Sequence, residues 1–476
     1  ALGVRPHDRV GIKLVNQPEA LISIFAVQKI GAVPVLFSRL WSKKEDNHAF
    51  NSAKIKLYVV SQSLFTENNE SALGQKYPEL IVVVEEEEKA FTGKEKNIYS
   101  YLQLVQQGEK SFKAIKVRRD SIGLIMFTSG TTGLPKGCLH SVGGILAQGY
   151  LSNKYVYTIG EHDIVTGASS VAFAAGYCIF AVLPFCGQGA VSLIPTFQSD
   201  VVLQTIQDHR ATILTGVPSA YRRLLQFPDF NNYDLSSLRL CTTSADAIKE
   251  TGLDWKNKTG LDIWEGYGAS ELLFLVAHNK MASQPKPGSC GAALPGWIIK
   301  CIDDQGRSLP PGEVGQLIAK GPTGGMYLFS SAEHERLLKA QKEKVRDGWT
   351  YTGDMAHLDE EGFIFFASRE DDMIKSGGFR IYPGEIEDIL LKHAEVKEVC
   401  VLGVPDPVRG NNVIACVVFE KEVSNYIKTE EELISLCRDN LAVYKIPRSF
   451  KFINELPRTA TGKLMRNRVR DIIVSD

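Results

Sequence analysis

Apolar positions along the chain follow two rhythms. Short runs such as Arg9-Val-Gly-Ile-Lys-Leu14, Gly31-Ala-Val-Pro-Val-Leu36, Lys56-Leu-Tyr-Val-Val60 and Leu80-Ile-Val-Val-Val84 have the length and β-branched content of strands. Between the first two, residues 19–31 carry apolar side chains at helical spacing and end on glycine, a common helix stop. The alternation resumes with a strand over 189–194, a helix over 201–209, a strand over 212–215, a helix over 221–226 and a strand over 238–242. Such a succession predicts parallel α/β layers. Residues 143–150 read as a further helix, 85–96 as a charged, solvated loop, and 297–320 as β-rich with a turn at Asp303-Asp-Gln-Gly306. The stretch 368–375 is polar between apolar strands, which marks a boundary. Beyond it come an amphipathic helix over 384–393, strands over 399–404 and 413–419, and a helix over 430–440. The expected fold class is α/β, with a large N-terminal body of α/β layers plus a β-rich subdomain over residues 1–370. A small α+β C-terminal domain is expected over 371–476.

Composition narrows the function. The chain has 476 residues and 44% hydrophobic content, enough for large buried cores. A net charge of −1 argues against nucleic acid as the main partner while leaving room for a local basic site. Nine cysteines without a C-x-x-C pair suit reduced thiols in a cytoplasmic protein better than a disulfide frame or a zinc site. No signal peptide and no long apolar run is present, so a membrane-spanning helix is not expected. The sequence opens at Ala1 already inside a pattern, which suggests that a native N-terminal segment precedes it.

One stretch concentrates chemistry. After the apolar run Ile122-Gly-Leu-Ile-Met-Phe127 comes Thr128-Ser-Gly-Thr-Thr-Gly-Leu-Pro-Lys-Gly137, with three glycines, four hydroxyl residues and Lys136 in ten positions. Glycines let successive amides turn toward one point, hydroxyls add donors, and the lysine adds a mobile cation. The pattern is a strand followed by a phosphate-gripping loop. It is not the Walker pattern, because Gly137 rather than a hydroxyl residue follows Lys136. The loop resembles that of the adenylate-forming superfamily, which includes acyl- and aryl-CoA synthetases, adenylation domains and beetle luciferases. The opening of the chain is similar to the family's as well. The resemblance runs along essentially the whole chain and is weak over 43–120.

Further elements occur in the family's order. The resemblance implies that Thr128, Ser129, Gly130, Thr131, Thr132 and Lys136 hold ATP phosphates. The turn containing Ser244, Ala245 and Asp246 would lie beside adenine and ribose, although the family's usual residues there are closer to Ala-Gly-Glu. Gly266-Tyr-Gly-Ala-Ser-Glu271 matches the Tyr-Gly-x-Thr-Glu element with serine in the threonine place. Tyr267 would stack on the purine, Gly268 would let the ligand approach the backbone, Ser270 keeps a hydroxyl, and Glu271 offers a hard oxygen for Mg²⁺. Gly288-Ser-Cys-Gly-Ala-Ala-Leu-Pro-Gly296 matches another family segment. In Trp349-Thr-Tyr-Thr-Gly-Asp354 the aspartate would accept both ribose hydroxyls. Arg369 would be the catalytic arginine and Asp371 the hinge about which a mobile C-terminal domain rotates. Gly377 and Gly378 would pass the pantetheine of CoA, and Arg380 would face phosphate. In Pro457-Arg-Thr-Ala-Thr-Gly-Lys463, Lys463 takes the place of the catalytic lysine.

The implied activity is an ATP-, Mg²⁺- and CoA-dependent acid–CoA ligase acting on a small carboxylic acid. Val171-Ala-Phe-Ala-Ala-Gly-Tyr177 lacks the aspartate of amino-acid-activating relatives and the histidine of many fatty-acyl relatives. With Gly-Pro-Thr-Gly324 and Tyr327, it is most similar to the benzoate- and 2-aminobenzoate-CoA ligase branch. Phe173, Gly176 and Tyr177 are therefore the acid-pocket candidates, for an aryl or short- to medium-chain acid. Two alternatives stand beside this reading: a stand-alone adenylation enzyme loading a carrier protein, and a non-catalytic nucleotide-binding protein. Presence of Lys136, Glu271, Asp354, Arg369 and Lys463 argues against the latter.

Overall fold

The computed structural model describes residues 2–69, 80–85, 97–127, 135–167, 169–244, 248–328, 334–376, 379–407, 409–421, 426–458 and 464–475. The chain divides into two compact units. The larger comprises Ala1–Ile299, Ile318–Thr352 and Glu361–Ile364, and the smaller Lys300–Leu317, Gly353–Glu360 and Phe365–Asp476.

The larger unit contains two sheets. The first has eight strands in the order Met326–Tyr327, Gly137–Ser141, Ile122–Phe127, Val33–Leu36, Arg9–Lys13, Leu57–Ser61, Leu80–Val84 and Ile98–Ser100. From Ile122–Phe127 onward its neighbours are parallel, as the continuous apolar runs predict for strands covered on both faces. Gly137–Ser141 and Met326–Tyr327 close one edge antiparallel. The second sheet has seven strands. Ile263–Gly268, Leu240–Ser244, Ile213–Gly216, Ile164–Gly167 and Ala190–Leu193 are parallel in that order, and Leu275–His278 and Ala292–Ala293 add an antiparallel edge.

The helices form where their termini are specified. Pro18–Lys29 has proline at its start, where a fixed φ and a missing amide proton suit the first turn, and Glu19 in its first turn and Lys29 in its last, both favourable to the helix dipole; the chain leaves through Gly31 at φ +72°. Helix Lys43–Ala53 begins with a capping box: Ser42 accepts from the Glu45 amide, and Glu45 accepts from the Ser42 amide at 2.8 Å. This helix was not expected from its sequence. Its buried side is made of small and polar groups, Asp46, Ala49, Ser52 and Ala53, with Phe50. Asp46 is buried against Lys13, and its withdrawal from water pushes its carboxyl up to about 6 despite the lysine.

Phe37, Phe50, Tyr58 and Phe127 pack in the core of the first sheet, and Tyr221, Phe230 and Trp255 in that of the second. Each such aromatic contributes roughly 2–3 kcal/mol of burial free energy. In the smaller unit, strands Val396–Asp406, Gly410–Phe419 and Ser449–Phe452 form one sheet. Helices Pro383–Leu390 and Tyr426–Asn440 bury Ile386, Leu390 and Leu433 in its core. The α/β body and separate α+β C-terminal unit are the architecture expected from the sequence. The predicted strand over 80–84 coincides with Leu80–Val84, and the helix over 384–393 is Pro383–Leu390. The charged run at 86–96 lies outside the described residues.

Candidate active site

Parallel α/β sheets gather loops at the carboxyl ends of their strands, where ligands of such folds bind. Three of the singled-out segments leave strands at that edge. Ile122–Phe127 runs directly into the hydroxyl-rich loop, of which Thr128, Ser129, Gly130, Thr131 and Thr132 lie outside the described residues. Leu240–Ser244 ends on Ser244; Ala245 and Asp246 lie outside the described residues. Ser244 pairs in register with Gly266, so Tyr267 and Gly268 continue the neighbouring strand past it.

Lys136 and Glu271 are brought to a single side chain, Tyr327. The Tyr327 phenol donates to Glu271 Oε1 at 2.9 Å, and Lys136 Nζ lies 5.8 Å from the centre of its ring. Tyr327 itself is buried at 1% exposure on a two-residue edge strand, opposite Cys138. Glu271 sits in the 3₁₀ turn Ser270–Leu272, followed by Leu273 at φ +70° and ψ −47°. That conformation is costly for a residue with a Cβ, and such outliers concentrate at functional sites. Among the described residues, Tyr327 is the hydrogen-bond partner of the Glu271 carboxylate, which leaves its other oxygen open to a hard cation. No cluster of three possible protein ligands occurs among the described residues, and Glu271 offers one hard oxygen of the kind Mg²⁺ takes.

Several side chains near these elements have firm structural duties. A Cβ on Gly268 would lie 2.1 Å from the Phe274 carbonyl oxygen, at a register shift between this strand and Leu275–His278. The close approach at Gly268 is thus made by the chain's own backbone. Tyr267 is 8% exposed, its ring largely covered. His140 and His278 are buried, and burial holds their imidazoles down to about 4 and about 3. Burial pushes the Cys138 thiol up, as does the nearby Glu271 carboxylate. Among the described residues no disulfide joins the nine cysteines.

The acid-pocket candidates separate. Phe173 is half-buried and precedes the short helix Ala174–Tyr177. Gly176 lies where a Cβ would meet the Ser170 carbonyl oxygen at 2.0 Å. Tyr177 is 1% exposed, with its hydroxyl accepting from Gln28 Nε2 at 3.0 Å. Of the three, Phe173 has the accessible surface.

In the smaller unit Asp354 and Arg369 come together. They lie on the paired strands Trp349–Leu358 and Ile364–Arg369, and Arg369 Nη1 donates to Asp354 Oδ1. Asp371 is exposed in the 3₁₀ turn Glu370–Asp372. Its neighbour Asp372 faces Arg466, which also binds both oxygens of Glu387 and donates to the Val401 carbonyl at 2.8 Å. Burial pushes the Asp372 carboxyl up, with Arg466 and Arg369 opposing. Arg380 stands on strand Phe379–Ile381 opposite Lys375. Gly377, Gly378 and Lys463 lie outside the described residues. Sequence reasoning gave Tyr327 no contact with the site; a tyrosine on a two-residue strand carries no periodic signal.

The model of AMP-binding enzymes matches residues 1–328, and that of the AMP-binding enzyme C-terminal domain matches residues 385–463. The chain belongs to the family of AMP-binding enzymes. It is 30% identical to a long-chain-fatty-acid–CoA ligase of Bacillus subtilis (strain 168), over 98% of this chain and 86% of the relative. An anthranilate CoA ligase, AuaEII, in complex with anthranoyl-AMP superposes with a TM-score of 0.89 at 28% identity, covering 100% of this chain and 89% of that one. A benzoate CoA ligase from Burkholderia xenovorans LB400 superposes with a TM-score of 0.85 at 25% identity, covering 98% and 90%.

Proposed function

We propose that this protein is an ATP-dependent acid–CoA ligase. A carboxylate oxygen bonds to the α-phosphorus of ATP, the bond to the β-phosphate breaks, and pyrophosphate leaves. The CoA sulfur then bonds to the carbonyl carbon of the acyl-adenylate, AMP departs with the bonding pair, and the thiol proton passes to solvent. The observation that carries this reading is the meeting of Lys136 and Glu271 on Tyr327, Lys136 being the lysine that ends the hydroxyl-rich sequence after strand Ile122–Phe127. A cation and a carboxylate next to a glycine- and hydroxyl-rich loop are what a magnesium–triphosphate end of a site requires.

Two anions must approach in the first step, so catalysis here is positioning and charge compensation. Lys136, with Thr128, Ser129, Gly130, Thr131 and Thr132, grips the β- and γ-phosphates. Mg²⁺, which Glu271 is suited to hold, supplies positive charge to the phosphate oxygens. Ser244, Ala245, Asp246, Tyr267, Gly268 and Ser270 border the nucleotide, and Asp354 takes the ribose hydroxyls beside Arg369. Lys463 bridges the carboxylate and the α-phosphate. Gly377, Gly378 and Arg380 serve CoA after rotation about Asp371, the boundary between domains 1–370 and 371–476. The thiols are not needed as nucleophiles: burial raises Cys241 to about 12 and pushes Cys178 up as well.

For the acid, we favour an aryl or short- to medium-chain carboxylate. Support comes from the anthranilate and benzoate ligases among the similar structures and from the absence of an acidic residue in 171–177. A cytoplasmic setting is supported by nine cysteines outside any disulfide. Among the described residues, no helix is long and apolar enough to cross a membrane. The test is ATP–pyrophosphate exchange over a panel of aryl and alkyl carboxylic acids, followed by consumption of micromolar free CoA. Exchange without CoA consumption points to a carrier-protein acceptor; no exchange with any acid overturns the ligase reading.

A further inference from the structure

We propose that Tyr327 is a positioning residue for the metal–triphosphate end of the site, orienting the Glu271 carboxylate through its phenol and facing the Lys136 ammonium with its ring. The inference rests on the ligase reading above. Nothing in the sequence motif assigns this tyrosine a contact with either residue, and three observations carry it.

The first is fixation of the tyrosine. Its backbone amide donates to Gln341 Oε1 at 2.7 Å, and Gln341 Nε2 donates to the Gly325 carbonyl at 2.7 Å. One amide side chain therefore holds the backbone on both sides of Met326. At 1% exposure the tyrosine is enclosed by the protein. The second is the hydrogen bond itself. A phenol has one proton to donate, and here it goes to Glu271 Oε1 at 2.9 Å. With one carboxylate oxygen fixed in this way, the other is presented in a defined direction. Such outer partners orient metal-ligating carboxylates, and losing one commonly costs ten- to a hundred-fold in metal affinity or activity. The third is the ring. Lys136 Nζ at 5.8 Å from its centroid is within range of a cation–π attraction, so one residue contacts both the cation and the anion that flank the triphosphate.

The test is Tyr327→Phe, which keeps the ring and removes only the proton donor. Binding of ATP is measured by calorimetric titration twice, in magnesium and in EDTA, with no acid present. Loss of one hydrogen bond to a charged group predicts that the Kd for ATP in magnesium rises about tenfold. The Kd in EDTA should change less than about twofold, since no metal is then held. In a Glu271→Gln background the same substitution should add nothing, because the two residues act through one bond. Where exchange activity is present, the magnesium concentration for half-maximal rate should rise in parallel. An unchanged affinity in magnesium, equal losses with and without metal, or full additivity with Glu271→Gln would each overturn the proposal. So would a wild-type protein that binds ATP no tighter in magnesium than in EDTA. The titration needs no turnover, so a protein that binds magnesium–ATP yet activates no acid would sink the ligase reading and leave the role of Tyr327 decided.

Discussion

At the scale of single residues, burial and pairing decide how particular charges are carried. Asp354 and Arg369, given separate roles on sequence grounds, are bonded to each other, and the Asp354 side chain is only 7% exposed. A buried carboxylate in such a pair is costly to neutralise or remove. Asp354→Asn keeps the shape and loses the charge, so AMP affinity is expected to fall by about tenfold or more. Unchanged AMP binding in a titration would remove Asp354 from the ribose site. The buried histidines set a pH limit. His278 and His140 are held neutral, at about 3 and about 4, whereas an unfolded histidine binds its proton near 6.5. The unfolded chain therefore binds more protons as pH falls. The stabilisation is complete above about 6.5 and is lost on acidification toward the folded values, on the order of 1 kcal/mol per pH unit for each histidine. Denaturant midpoints recorded from pH 7 to pH 4.5 should fall, and His278→Gln should flatten the fall. A wild-type profile without slope in this window would contradict neutral burial.

At the scale of elements, glycines divide into those that turn the chain and those that let it pass close to itself. Gly268 has no room for a side chain, with the Phe274 carbonyl oxygen 2.1 Å from where a Cβ would sit. Gly288, at φ +75°, has nothing within 4 Å. Gly288→Ala should cost only the conformational strain of positive φ, about 1 kcal/mol. Gly268→Ala must shift one strand against another and should cost about 2–3 kcal/mol or prevent folding. Equal shifts in the urea midpoint would show that the strand register at Tyr267–Gly268 relaxes freely. Strand runs and amphipathic helices were legible because one residue type repeats at one period. Helix Lys43–Ala53 was not, because its inner face holds Asp46 and Ser52 among small residues. Its signal was the capping pair Ser42 and Glu45, three residues apart.

At the scale of the whole molecule, the smaller unit ties the segment at Asp372 to its last helix through Arg466. This guanidinium joins Glu387, Asp372 and the Val401 carbonyl, so the residue after Asp371 and the helix following the Lys463 element share one anchor. Asp371 itself is exposed and lies before that anchor, which suits a position where the backbone changes direction. Proline would fix φ near −65° and remove the amide donor. Asp371→Pro is expected to retain acid-dependent pyrophosphate exchange and to lose most CoA ester formation, while Asp371→Ala keeps much of both. A proline variant with normal overall turnover would show that rotation does not occur at this residue.

Sequence alone determined the alternation of strands and helices, the α/β class with its separate C-terminal unit, and the family, because each is written in local order and spacing. Tertiary structure alone decided which residues meet. Tyr327 reaches Glu271 only because an edge strand from residues 326–327 pairs with Gly137–Ser141, and Asp354 reaches Arg369 only because two strands lie side by side. It also decided that Gly176 and Gly268 are required by the chain's own carbonyls and that Tyr177 turns its hydroxyl to Gln28. Contacts of that kind join residues far apart in the chain, and no local pattern of residue types records them.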